Sequence, residues 1–353
     1  MPADVIAPHF KRRLSGVTST IVQLVPIQNA RGTTVQTFGP GLPASLPKLA
    51  YCGLWRLWSL PAKRPFRIWH ARRNVEVVGG LLLRDVLRMK LKIVFTSASQ
   101  RVHQPFTKWL ISRVDAVVAT SRKTAAYLTV PNTVILHGIN TDRFCPADDK
   151  AAAKIAVGLD PAKRHIGCFG RVRHQKGTDL FLSAVTPLLK GNPNWVAVVA
   201  GRATAEHQVY VGKLKAAVIA EGLERNVLFV GEHRDIERWY RALDLFVAPQ
   251  RWEGFGLTPL EAMASEVATV ATDVGAFSEL VVDGVTGVIV PVDTNALRDA
   301  IARYLGDPEL LAMHSAAALT HVRTHFPIAR EADALAEVYN ALWDGGPKQG
   351  RAE

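Results

Sequence analysis

Two periodicities alternate along the chain. Short β-branched and apolar runs closed by Gly or Pro are each followed by a longer stretch in which apolar residues recur every three to four positions. From His165 onward the alternation is regular, predicting strands at His165–Phe169, Trp195–Ala200, Asn226–Val230, Asp244–Ala248, Val267–Ala271 and Gly287–Val290. The first half repeats it less sharply, with strands at Asp4–Ala7, Thr34–Phe38, Phe66–His70, Leu91–Phe95, Ala116–Ala119 and Thr133–Leu136. Strands alternating with helices build a parallel sheet covered on both faces. The expected fold class is therefore α/β, with two doubly wound, Rossmann-like domains facing across a cleft. Pro146 and the pair Asp148–Asp149 interrupt the pattern and set the expected domains at residues 1–150 and 151–325. Residues 326–353 read as an amphipathic helix, Phe326–Trp343, and a short tail. Ligands of such sheets sit beyond the carboxyl ends of the strands, so functional residues belong just after them.

Length and composition agree with this picture. The 353 residues exceed one ordinary core and suit two of roughly 150 residues each. Apolar residues make up 48% and charged residues 21%, a globular balance. Cys52, Cys145 and Cys168 are odd in number and far apart, which gives neither a disulfide framework nor a metal-binding pair and fits a reducing compartment. Met1–Arg13 carries charge where a signal peptide needs an apolar stretch, and no run approaches the ~20 apolar residues of a membrane span. A cytoplasmic protein is expected.

Charge changes the picture more. The net charge of +12 is concentrated: residues 1–150 hold 22 Lys and Arg against 7 Asp and Glu, net +15, leaving 21 against 24, net −3. A basic half beside a nearly neutral one suggests that the first half meets something anionic, such as nucleic acid, an acidic membrane surface or an acidic sugar.

Candidate chemistry clusters where the fold predicts it. The segment Asp244–Ser265 (DLFVAPQRWEGFGLTPLEAMAS) reads as a buried strand, a glycine-containing turn and a helix. Thr258 suits the N-cap, Pro259 the first helical position, and Glu261 the place where a capping box puts its carboxylate. Capping and ligand binding are both open to Glu261. Glu253, eight positions earlier, has no such local duty, and Gly254 and Gly256 let the backbone approach a ligand closely. One carboxylate can accept hydrogen bonds from sugar hydroxyls and the other from ribose, while free N–H groups at the helix start face an anion. A second segment, Gly170–Thr178 (GRVRHQKGT), follows the strand His165–Phe169 and precedes a helix at Leu180–Leu188. Arg171 and Lys176 project from one turn beside a helix N-terminus, which suits a diphosphate and equally describes a solvated basic loop. Arg173 and His174 are polar neighbours with lesser claims.

These segments resemble the signature of family 4 retaining glycosyltransferases with the GT-B fold. The resemblance rests on Glu253–Glu261 with its flanking GFGLTPL, the following AMAS, Val274–Gly275 and Glu279–Gly287. It implies a metal-independent hexosyltransferase with no cofactor, in which Arg171 and Lys176 hold the donor diphosphate. Glu253, Gly254, Phe255, Gly256, Leu257 and Glu261 would hold the donor, and loops with Arg202, Glu232 and His233 would cradle its base. Gly16 resembles the family's glycine loop facing the phosphates. His103 resembles a histidine that approaches the donor sugar, with His70 as its competitor. Phe326–Trp343, containing Tyr339, resembles the helix that crosses back onto the first domain.

The stretch His9–Pro26 (HFKRRLSGVTSTIVQLVP) is similar to lipopolysaccharide core mannosyltransferases. That likeness implies transfer of mannose from GDP-mannose to the Kdo of an inner core on lipid A, by an enzyme peripheral to the inner face of the cytoplasmic membrane. Arg12, Arg13, Arg72 and Arg73 adjoin loops after strands and are the acceptor-side candidates. Another nucleotide sugar and another glycan or lipid acceptor form the alternative, as does a sugar-nucleotide epimerase sharing the two-domain fold. A basic nucleic-acid-binding protein is the rival from another class, but no aromatic residues interleave with Lys and Arg in a recognised binding module, so no nucleic-acid partner is expected. His321 and His325 have the spacing of metal ligands on a helix but lack an acidic companion, and no DxD pair follows a strand. No metal site is expected.

Overall fold

The computed structural model describes residues 3–11 and 16–345. It contains two six-stranded sheets, parallel throughout. The first comprises β1 (Val5–Pro8), β2 (Val35–Phe38), β3 (Arg67–Ala71), β4 (Leu91–Ser97), β5 (Ala116–Ala119) and β6 (Thr133–Val134), in the order β2-β1-β3-β4-β5-β6. The second comprises β7 (Arg164–Phe169), β8 (Trp195–Ala200), β9 (Val227–Gly231), β10 (Leu245–Ala248), β11 (Ala268–Thr272) and β12 (Gly287–Val290), in the order β12-β11-β10-β7-β8-β9. Each strand forms where the apolar runs predict it, with ends shifted by a residue or two. Central strands such as β8 are buried at every position, because helices cover both faces and leave no solvent side for polar residues to alternate onto.

Strand order explains where chemistry can sit. In the second sheet the chain runs outward from β7 through β8 to β9, then returns to place β10 on the other side of β7. The loops leaving β7 and β10 diverge to opposite faces and open a crevice at the sheet's carboxyl edge. The first sheet has the same reversal between β1 and β3.

The chain divides into two compact units, one made of residues up to Gly138 together with those from Pro327 on, the other of Ile139–Phe326. The boundary precedes the expected residue 150 for a packing reason. Phe144 is fully buried against Tyr240 (ring centroids 5.9 Å apart), Arg143 pairs with Glu237 at 2.9 Å, and Arg241 donates to the Cys145 carbonyl at 3.1 Å. These contacts belong to the second unit, and no local composition signal announces them.

The last helix, Ile328–Trp343, belongs to the first unit. Its buried stripe of Ile328, Ala332, Leu335, Val338, Tyr339 and Leu342 joins the core formed by Ile21, Leu24 and Val25 with β1, β3 and β4. Glu331 latches its start, accepting hydrogen bonds from His137 Nδ1 and the Gly138 amide, both at 2.8 Å. Leu335→Ala should therefore destabilise the first unit by about 2–5 kcal/mol, measured as an earlier first transition in chemical denaturation. An unchanged profile would show that the helix is not part of that core.

Candidate functional site

The site is assembled by two loops of the second unit. β10 pairs with β7, so the segments after them emerge side by side. They are then fastened together. The Arg251 amide donates to the Gln175 carbonyl at 3.0 Å, and Gln175 Nε2 donates to the Trp252 carbonyl at 3.2 Å. The Arg251 guanidinium donates to the His174 carbonyl and to both carboxylate oxygens of Asp179, each at 2.7 Å. Tyr210 donates to the same carboxylate at 2.8 Å. Burial pushes the Asp179 carboxyl up, but the hydrogen bonds from Arg251 and Tyr210 outweigh it and hold it below the ordinary range. A planar fork meeting a carboxylate with two parallel bonds fixes direction as well as distance. Neither Arg251 nor Asp179 was singled out by sequence reasoning, since their partnership spans 72 positions.

Within this frame Lys176 donates to Glu253 Oε2, and Glu253 Oε1 accepts from the Gly254 amide at 3.1 Å. The carboxylate has room because two glycines surround it. A Cβ on Gly256, which has φ +88°, would stand 2.9 Å from Glu253 Cγ and 2.2 Å from the Phe277 ring; one on Gly275, with φ +60°, would stand 3.0 Å from Glu253 Cβ. No larger residue fits those positions without moving the glutamate.

Beside these loops lies a cavity of about 210 Å³ lined by Arg171, Arg202, Glu232, His233, Tyr240 and Glu261, among others. It brings together five of the predicted donor residues, while Lys176 and Glu253 are not part of its lining. Arg202 faces Glu232 at 3.7 Å, both well exposed. His233 holds the Val230 carbonyl at 2.8 Å and lies against Trp239.

The capping expectation for Thr258 and Glu261 is corrected. The helix Thr258–Ala264 has Leu257 at its N-cap with no side-chain cap bond, and the Thr258 hydroxyl is buried without a hydrogen-bond partner. The Glu261 carboxylate turns instead to Tyr240, whose hydroxyl donates to it at 2.9 Å. Part of Glu261 opens on the cavity, yet protein surrounds its carboxylate. Burial raises its pKa above the ordinary value, against the pull of the Tyr240 hydrogen bond and the charges of Arg143 and Lys176. Burial, then the Glu261 charge, pushes the Tyr240 phenol well up.

The remaining candidates have varied surroundings. Phe255 is packed inward, its carbonyl accepting from the Ala276 amide at 3.1 Å, and the Leu257 carbonyl accepts from the Glu261 amide at 3.0 Å. Arg173 Nε is buried without a partner, and His174 is exposed. In the first unit Gly16 opens the helix Gly16–Ala30, and a Cβ there would meet nothing within 4 Å. Arg12 and Arg13 lie outside the described residues. Arg73 pairs with the fully buried Glu76 at 2.9 Å, and Arg72 donates its amide to Glu76 and its guanidinium to the His70 carbonyl. His70 shares hydrogen bonds with Tyr339 at 2.5 Å and Thr96 at 2.7 Å and is buried, a satisfied structural histidine. His103 differs: its Nε2 is buried without a partner, and burial followed by the charges of Arg101 and Lys108 lowers its pKa. His321 holds the Leu280 carbonyl at 3.1 Å.

Two parallel sheets of this order, with cations and carboxylates gathered at the carboxyl edge of the second, are the arrangement of the GT-B fold on which glycosyltransferases are built. The family model for glycosyl transferases group 1 matches residues 163–307, and the chain belongs to that family. It is 60% identical to the lipopolysaccharide core biosynthesis mannosyltransferase LpsB of Rhizobium meliloti (strain 1021), over 96% of this chain and 97% of that one. The C-terminal domain of the group 1 protein LpcC from Francisella tularensis is 36% identical, covering 54% of this chain and all of that domain, with a TM-score of 0.52. Anabaena HepE, solved in complex with UDP, shares the fold at 18% identity over 96% of this chain and 100% of its own, with a TM-score of 0.80.

The raised pKa of Glu261 has a consequence for stability. A carboxyl whose folded pKa exceeds its unfolded value contributes stability below the unfolded pKa and loses it as pH rises through the folded one. At neutral pH the ionised group is therefore a burden on the fold. Glu261→Gln, which keeps an acceptor for Tyr240, should raise Tm at pH 7, with the difference shrinking toward the unfolded carboxyl's pKa. A fall in Tm at pH 7 would contradict this account.

Proposed function

We propose that this protein transfers mannose from GDP-mannose, with retention and without a metal, to the Kdo of a lipopolysaccharide inner core. The carrying observation is the 60% identity, across nearly the whole of both chains, to a lipopolysaccharide core mannosyltransferase. The geometry of the second unit supports its chemistry. Glu232 accepts from the guanine edge, Glu261 holds the ribose hydroxyls, and Arg171 with Lys176 faces the diphosphate. Glu253 orients the mannose. The pairing of Lys176 with Glu253 keeps both charges oriented before the donor arrives, so the donor meets a preorganised site. As the sugar–phosphate bond breaks, Arg171 and Lys176 stabilise the charge on the departing diphosphate. The leaving phosphate assists deprotonation of the acceptor hydroxyl on the same face, so no protein nucleophile is assigned. His103, with its unpartnered nitrogen, serves the donor sugar, and Gly16 the phosphates.

The acceptor is anionic, and the first unit is basic. Residues 1–138 with 327–353 carry 23 Lys and Arg against 9 Asp and Glu, net +14, whereas 139–326 carry 20 against 22, net −2. A Kdo-bearing lipid A presents anionic sugar at an anionic membrane face, and we place the enzyme peripherally on the cytoplasmic side of that membrane. No helix among the described residues is long and apolar enough to cross a membrane.

Glu253→Ala should lower mannosyl transfer about 10²- to 10³-fold with an unchanged circular-dichroism spectrum; near-normal turnover would sink its assignment. In the same series, GDP should bind by calorimetry, Arg171→Ala and Lys176→Ala should each weaken it, and transfer should persist in EDTA. Equal affinity for GDP and UDP would overturn the guanine reading.

A further inference from the structure

Residues 51–113 contain 13 Lys and Arg but only two acidic residues, Glu76 and Asp85. Glu76 is fully buried against Arg73, and the exposed Asp85 is paired with Arg84 at 2.7 Å and Arg113 at 3.5 Å, which leaves the segment strongly cationic. The same segment exposes an unusual set of large apolar side chains. Tyr51, Trp55 and Trp58 stand out from the 3₁₀ segment Tyr51–Trp58, with Trp55 63% exposed. Leu82, Val86 and Leu87 stand out around the turn Leu82–Val86, and Phe106 and Trp109 from the helix Pro105–Ser112.

Three short elements with unburied aromatic residues would not by themselves make a surface. Hydrogen bonds join them into one. Trp58 Nε1 donates to the Leu87 carbonyl at 2.8 Å, setting the first element on the second. Arg84 donates to the Arg113 carbonyl at 2.9 Å, setting the second beside the end of the third. Phe106 and Trp109 stack at 6.0 Å, three positions apart on one helix face, and Arg113 follows one turn later. Arg56, Lys63, Arg88, Lys90, Lys108 and Arg113 are exposed among them.

We propose that this face of the first unit lies in the headgroup layer of an anionic bilayer. The inference rests on the membrane association proposed above and assigns it to particular residues. Trp and Tyr are amphipathic rings suited to the boundary between acyl chain and headgroup, and Lys and Arg around them meet lipid phosphates. A face for a protein partner is expected to be depleted in lysine; this one exposes Lys63, Lys90 and Lys108 among its aromatic residues. The exposed aromatic groups give depth and the cations give preference for anionic lipid. The surface also holds Cys52, an exposed free thiol within the first element, which serves as a reporter.

The full chain is sedimented with vesicles of phosphatidylcholine alone and of phosphatidylcholine with about one third phosphatidylglycerol. Wild type should sediment with the anionic vesicles, less so as salt rises, and an environment-sensitive fluorophore on Cys52 should shift to the blue, a signal absent from labelled Cys52→Ser. Trp55→Ala with Trp109→Ala, and separately Arg88→Glu with Lys108→Glu, should each weaken binding at least about tenfold at unchanged Tm. If wild type ignores anionic vesicles, the membrane reading itself falls and this face with it. If wild type binds but both double variants bind equally well and the Cys52 signal is silent, the membrane reading stands and this face is overturned. A wild-type dimer by sedimentation velocity that Trp55→Ala with Trp109→Ala dissolves, without vesicle binding, would assign the face to a second copy instead.

Discussion

The bond from Arg251 to Asp179 is the constraint on which the proposed donor side depends. Glu253 and Lys176 sit on loops from different strands, and loops of this length have many conformations when nothing ties them. The guanidinium spans that gap with two bonds to Asp179 and a third to the His174 carbonyl. Tyr210 completes the carboxylate's shell. The result is one rigid platform from two loops, and it places a lysine and a glutamate as each other's counter-ion at the carboxyl edge of the sheet. Binding energy that would otherwise order the loops is then available to the donor.

A second division of labour runs through the charge. The first unit carries the positive excess and the second, which holds the proposed nucleotide platform, is close to neutral. That platform relies on a few oriented cations rather than on a diffuse field, which suits a diphosphate whose charge moves during reaction. The diffuse field belongs to the unit assigned to an anionic lipid-borne acceptor. In the first unit the buried histidine His70 and the pair Arg73–Glu76 stabilise the fold, leaving surface cations for external contacts.

Much of this was legible in the sequence because its causes are local. A run of apolar residues ended by glycine is a buried strand wherever helices cover both faces, and all twelve expected strands are present. The residues following β7 and β10 were singled out for the same reason: parallel sheets expose chemistry only at the carboxyl edge. What escaped was long-range. Glu261 stood at a capping-box position, yet a tyrosine 21 positions earlier supplies its hydrogen bond, and nothing in local spacing distinguishes these outcomes. Arg251 stands two places before Glu253, and its charge there was a usable hint. The unit boundary moved because Phe144 and Arg143 pack onto Tyr240 and Glu237, contacts that depend on the fold being complete.

The central claim is that the two loops act as one body through Arg251 and Asp179. A double-mutant cycle of Arg251→Met and Asp179→Asn, read as GDP affinity by calorimetry, tests it most directly. Each single change should weaken binding, and the double should lose little more than either alone, a coupling on the order of 1–3 kcal/mol. Single variants that bind GDP like wild type, or losses that simply add, would contradict the claim.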